Sequence, residues 1–157
     1  MDKDKLRRKY TKIWQSIGPE AAATNSLAIC RQVFRQVDWS KIKTVCSYNP
    51  IAKLNEVDIK PLLDAVTYKY PDIKIMLLKQ SKNQPIPRTE FDLILVPCLA
   101  FDRGNYRLGW GGGFYDRFLA GQPSALKVGV SSQSAFVKEG LPREPHDIPL
   151  DMVITEK

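Results

Sequence analysis

Apolar residues recur along this chain in two alternating rhythms. Leu6, Tyr10, Trp14 and Ile17 stand at helical spacing, and Gly18-Pro19 closes that helix. A second helix is predicted over residues 20–37, with Leu27, Cys30, Phe34 and Val37 on one face. Residues 44–48 read as a strand. Residues 56–70 read as a helix, in which Pro61 is tolerable only in the first turn. A strand over residues 73–78, a polar loop over 80–90 and a near-continuous apolar strand over 91–96 follow. Beyond them come a glycine-rich loop, a helix with Phe114, Phe118 and Leu119 on one side, and strands over 126–130 and 152–155. This alternation predicts an α/β fold in a single domain over residues 1–157. It is a mainly parallel sheet flanked by helices on both faces, a three-layer α/β/α arrangement. Ligands in such folds bind at the carboxyl ends of the strands, where the glycine loop is expected.

Gly109, Gly111, Gly112 and Gly113 occupy four of five positions just before a helix. Bare backbone amides pooled there can cradle an anion, with Arg107 adding a charged contact. A glycine turn that lets the helix pack closely is the alternative. The run is neither of the common phosphate motifs. No Gly-Lys-Ser or Gly-Lys-Thr occurs, and Phe114 stands where a dinucleotide fingerprint needs glycine.

Composition narrows the function classes. A length of 157 residues with 43% apolar content suits one soluble domain. No stretch approaches the roughly 18 consecutive apolar residues of a membrane span, and the N-terminus lacks the apolar segment of a signal peptide. Cys30, Cys46 and Cys98 are odd in number and widely spaced in apolar surroundings, so they read as buried thiols in the cytoplasm. The net charge of +7 is dispersed, with no block of five like charges. Neither nucleic acid nor membrane is expected as a partner; a polyanionic small molecule suits the same field.

Lys3 and Arg7 fall at the angular position of Tyr10 and Trp14, on the inward stripe, whereas Lys5, Arg8, Lys9 and Lys12 point elsewhere. Two cations beside a core face either meet an anion or snorkel to solvent. Asp147 and Asp151 lie in a proline-stiffened loop before the last strand, and Asp116 stands where a phosphate-bound Mg2+ would need a carboxylate. Each has a structural reading too, Asp147 as a turn cap and Asp116 as a partner for Arg117. His146, the only histidine, reads as a loop residue without cysteine or histidine partners for a metal. Tyr48, Trp110, Phe114 and Tyr115 could wall a flat ring. No Ser-His-Asp or Cys-His constellation can be assembled.

The stretch from Asp92-Leu93-Ile94-Leu95-Val96-Pro97 through Tyr106-Arg107-Leu108-Gly109 to Gly113-Phe114-Tyr115-Asp116-Arg117 resembles the 5-formyltetrahydrofolate cyclo-ligase family. The resemblance extends to both ends of the chain. It implies an enzyme that uses ATP and Mg2+ to turn 5-formyltetrahydrofolate into 5,10-methenyltetrahydrofolate, releasing ADP and phosphate. ATP phosphorylates the formyl oxygen, a nearby nitrogen attacks, and phosphate departs. The start Lys3-Asp4-Lys5-Leu6-Arg7 matches the family's Lys-x-x-Leu-Arg, which implies phosphate contacts from Lys3 and Arg7. ATP binding is implied for Arg107, Leu108, Gly109, Trp110, Gly111, Gly112, Gly113, Phe114 and Tyr115, and catalytic roles for Arg107 and Asp116. Asp116 and Asp147 are implied as the Mg2+ pair. Glu56 matches a substrate-contacting Glu-Val-Asp, with Tyr48, Trp110 and Phe114 beside the reduced folate. The expected assembly is a monomer or weak homodimer.

The chain departs from the family pattern in its middle. Only residues 79–90 remain of a longer segment in the folate half, so this is a shortened member with an expected weaker folate site. Cys98 replaces a usual glycine, and Trp110 a commonly basic residue. A shortened relative that activates another N-formyl compound, or a non-catalytic nucleotide- or folate-binding paralogue, are the alternatives.

Overall fold

The structure is a computed structural model that describes residues 2–81 and 83–157; residue 82, within the expected polar loop, lies outside them. Helix α1 spans Lys3–Ser16, capped by Asp2, whose carboxylate accepts from the Lys5 amide at 2.8 Å. Its buried stripe is Leu6, Tyr10 and Trp14. The Gly18-Pro19 pair then serves twice. It ends α1 and starts α2, Pro19–Gln36, with Pro19 in the first turn where its missing N–H costs nothing.

The inward face of α2 differs from the expected one. Ser26, Ile29, Cys30 and Val33 are buried, while Leu27 is 45% exposed and Phe34 only partly covered. A periodicity count ranks leucine above serine. The Ser26 hydroxyl is nevertheless satisfied inside, since it accepts from the Asp58 amide at 2.9 Å. The next helix also begins later than expected. Strand β1 is Thr44–Tyr48 and α3 is Lys60–Lys69, so residues 56–59 precede the helix. Pro61 sits in the first turn of α3, as its chemistry requires.

Strands β2 (Lys74–Leu78), β3 (Leu93–Pro97), β6 (Leu126–Val130) and β8 (Met152–Ile154) join β1 in a parallel sheet of order β2-β1-β3-β6-β8. The strand β3 is buried throughout and alternates by side chain. Leu93 and Leu95 pack with α1, α2 and α3 on one face, while Ile94 and Val96 pack with the short α4, Phe114–Ala120, on the other. Helices therefore cover both faces. A second, three-stranded sheet was not foreseen: β4 (Ala100–Asp102) and β5 (Arg107–Leu108) form a hairpin, and β7 (Phe136–Val137) pairs with β4. Pieces of two and three residues are too short to show a period. This small sheet carries Arg107 and the glycine loop beyond the end of β3.

No helix among the described residues is long and apolar enough to cross a membrane.

Candidate active site

A cleft of about 720 Å3 opens at the carboxyl ends of the strands, between the start of α1, the glycine loop, the end of β2 and the C-terminal loop. Gly111, Gly112 and Gly113 have φ of +110°, +83° and +67°, three consecutive residues in a region that L side chains disfavour. A Cβ on Gly112 would meet nothing within 4 Å, so backbone path rather than crowding demands glycine there. Gly109 is the opposite case: a Cβ would stand 2.8 Å from the Arg107 guanidinium. Glycine is thus required by the backbone path at Gly111–Gly113 and by the nearby Arg107 side chain at Gly109.

The loop is pinned through its carbonyls. Arg7 Nε donates to the Gly109 carbonyl at 2.9 Å, and Arg117 Nη1 to that of Gly112 at 2.6 Å. Among the described residues no protein group accepts from the Gly111, Gly112 or Gly113 amides. Helix α4 has only seven residues, so its dipole is small; an anion here would rely on the loop amides and nearby cations.

Lys3, Arg7 and Arg107 all line the cleft, and Arg117, whose place in the sequence suggests only a partner for Asp116, joins them. Lys3 rests on Asp147 at 2.8 Å and lies 3.6 Å from Glu144. Arg7 pairs with Asp4. Arg107 donates through Nε and Nη2 to the Pro97 carbonyl at 3.2 and 3.0 Å and lies over the Tyr115 ring. Its position is thus fixed by the end of β3.

The carboxylates meet as neighbours. Asp116 Oδ1 accepts from the Ile148 amide at 3.2 Å, and Asp147 Oδ2 from the Glu144 amide at 2.9 Å as well as from Lys3. Burial alone would raise the Asp147 carboxyl. The Lys3 and Glu144 hydrogen bonds, with the charges of Lys3 and His146, outweigh it and hold it below the usual range. Asp116, His146 and Asp147 offer ligand atoms that all lie within 4.8 Å of one another. Two neighbouring carboxylates of this kind fit a hard, hydrated divalent ion. His146 lies in an exposed turn of the C-terminal loop, as its sequence suggests, and its adjacency to Asp147 brings it beside the two carboxylates.

Other expected site residues are placed differently. Tyr48 is fully buried, and its hydroxyl donates to the Val57 carbonyl at 2.8 Å, so it belongs to the core and not to a substrate wall. Glu56 stands behind the cleft rather than in it. Its carboxylate accepts from Trp110 Nε1 at 3.0 Å, and from the Ile51 amide and Gln80 Nε2 at 2.8 Å each. It braces the wall. Trp110, Phe114 and Tyr115 do line the cleft, and Leu108 lies beneath it with only its edge available. Ile51, Leu54, Leu78, Gln80 and Gln84 complete the wall unforeseen. Their hydropathy carries no sign of a ligand, and the shortened segment supplies Gln80 and Gln84. All three cysteines are buried and free. Burial pushes Cys30 and Cys98 to about 11 and Cys46 to about 12, which leaves no thiolate nucleophile.

Residues 76–156 match the model of the 5-formyltetrahydrofolate cyclo-ligase family. The chain is 32% identical over 126 residues to the 5-formyltetrahydrofolate cyclo-ligase of Mycoplasma pneumoniae, covering 74% of each protein. It is 45% identical over 74 residues to that of Haemophilus influenzae, a stretch spanning 46% of this chain and only 39% of that relative. Among solved structures, a 5,10-methenyltetrahydrofolate synthetase from Mycoplasma pneumoniae superimposes with a TM-score of 0.85 at 24% identity, each chain covering 100% of the other. The corresponding Aquifex aeolicus protein gives a TM-score of 0.79 at 30% identity, over 100% of this chain and 91% of that one. The compact middle segment is therefore compatible with the whole fold.

Proposed function

The chain belongs to the 5-formyltetrahydrofolate cyclo-ligase family, and from that membership we propose that it is an ATP- and Mg2+-dependent ligase. It converts 5-formyltetrahydrofolate to 5,10-methenyltetrahydrofolate and releases ADP and phosphate. The observation that carries this reading is the meeting, in one cleft, of loop amides without an acceptor among the described residues, the cations Lys3, Arg7 and Arg107, and Asp116 beside Asp147.

In this reading the glycine-loop amides take phosphate oxygens, and Lys3 and Arg7 approach them from α1. Arg107, held by Pro97 through Nε and Nη2, offers its remaining Nη1 to the transferring group. Asp116 and Asp147 would hold Mg2+, which supplies charge neutralisation during phosphoryl transfer. The reduced folate takes the more apolar end, between Ile51, Leu54, Leu78 and Trp110.

The formyl oxygen takes the terminal phosphoryl group of ATP, and ADP leaves. The neighbouring folate nitrogen attacks the activated carbon and loses its proton, and phosphate departs with the former formyl oxygen. No protein nucleophile is required. The chain contributes positioning and charge stabilisation, which dominate the rate effect in phosphoryl transfer. The buried free thiols suit a reducing cytoplasm.

An ultraviolet assay for methenyltetrahydrofolate, with and without ATP, tests the proposal. Product formed only with ATP and Mg2+ is the expected result. ATP turnover with another N-formyl compound but none with 5-formyltetrahydrofolate would move the assignment to a different substrate.

A further inference from the structure

The C-terminal loop brings one donor more than a Mg2+ site needs. Asp147 divides its two oxygens: Oδ2 takes Lys3 and the Glu144 amide, while Oδ1 lies 3.7 Å from His146 Nε2. Asp116 gives Oδ1 to the Ile148 amide, and its Oδ2 has no hydrogen-bond partner among the described residues. The imidazole joins these carboxylates within ligand reach, and its side chain is 63% exposed. Glu144 Oε2 stands 3.1 Å from the same Nε2, a further carboxylate beside the ring.

Mg2+ takes oxygen ligands and keeps its waters, and so gains little from an imidazole. Borderline first-row ions gain much more. We infer that His146 is a third protein ligand, which shifts the Asp116–Asp147 site from a Mg2+-selective pair toward one that prefers divalent transition ions. The inference rests on reading Asp116 and Asp147 as the metal pair.

The full chain, without nucleotide, is titrated calorimetrically with Co2+ and separately with Mg2+, while the imidazole proton signals are followed by NMR. The chain has a single histidine, so those signals are unambiguous. The expected result is Co2+ binding at least about tenfold tighter than Mg2+, with the imidazole signals displaced by the first equivalent of Co2+. His146→Ala should lose most of that ratio through weaker Co2+ binding, with Mg2+ affinity and the thermal midpoint unchanged. An equal ratio in wild type and variant, or unmoved imidazole signals while Co2+ binds, overturns the assignment of His146. Asp116→Asn separates the two readings. If it abolishes binding of both ions, the metal pair stands whatever His146 does; if both ions bind undiminished, the pair and the inference fall together.

Discussion

Lys3 and Asp147 lie 144 positions apart in sequence and 2.8 Å apart in the fold. Their side chains are 19% and 10% exposed, so the pair is largely shielded from solvent. A cation expected at phosphates and a carboxylate expected at a metal are thus one ion pair. The first helix is thereby tied to the C-terminal loop.

The pair has a pH signature. Asp147 titrates below the ordinary range in the folded chain. Its contribution to stability is therefore present above the unfolded value of about 4 and is lost as pH falls through the lower folded value. Lys3→Ala should move Asp147 upward in a carboxylate NMR titration. An unmoved value would assign the depression to the Glu144 amide instead.

Phosphate contacts should show in nucleotide affinity. Lys3→Ala and Arg7→Ala should each weaken ATP binding by roughly 1.5–3 kcal/mol per lost charge-assisted bond. Calorimetry with ATP checks this; unchanged affinity in both variants would leave the two residues only their ties to Asp147 and Gly109.

Metal dependence should separate from stability. Asp116→Asn and Asp147→Asn should raise the Mg2+ concentration needed for half-maximal rate and slow turnover, with small shifts in thermal midpoint. A wild-type Mg2+ profile in both would reduce the carboxylates to loop anchors.

Glycine-loop geometry predicts an unusual alanine result. Gly112→Ala meets no neighbouring atom within 4 Å, yet the positive φ should cost about 1–2 kcal/mol in urea unfolding. An unchanged midpoint would mean that the loop does not hold this conformation.

Glu56 should behave as a brace. Its three hydrogen bonds join Trp110, Ile51 and Gln80, so Glu56→Ala should lower stability by about 1–3 kcal/mol and shift the Trp110 indole N–H resonance. If that resonance stays put while folate affinity collapses, Glu56 contacts the substrate directly.

The chain's local chemistry determined its elements. Helical stripes, the Gly18-Pro19 break and the continuous apolar run of β3 were all legible because each is set by residues close in sequence, and their alternation was enough to imply a parallel α/β sheet. The glycine loop was legible for the same reason, since a positive φ is demanded residue by residue. What only the tertiary structure decided depends on contacts between distant segments. Ser26 could turn inward because an amide from beyond β1 was waiting for its hydroxyl. Tyr48 went to the core because the Val57 carbonyl satisfied it there, and Glu56 became a brace because Trp110 folded back onto it. His146 reached Asp116 only when the C-terminal loop closed against α4. Side-chain periodicity measures average polarity along one element, whereas the partner that makes a buried polar group tolerable comes from another.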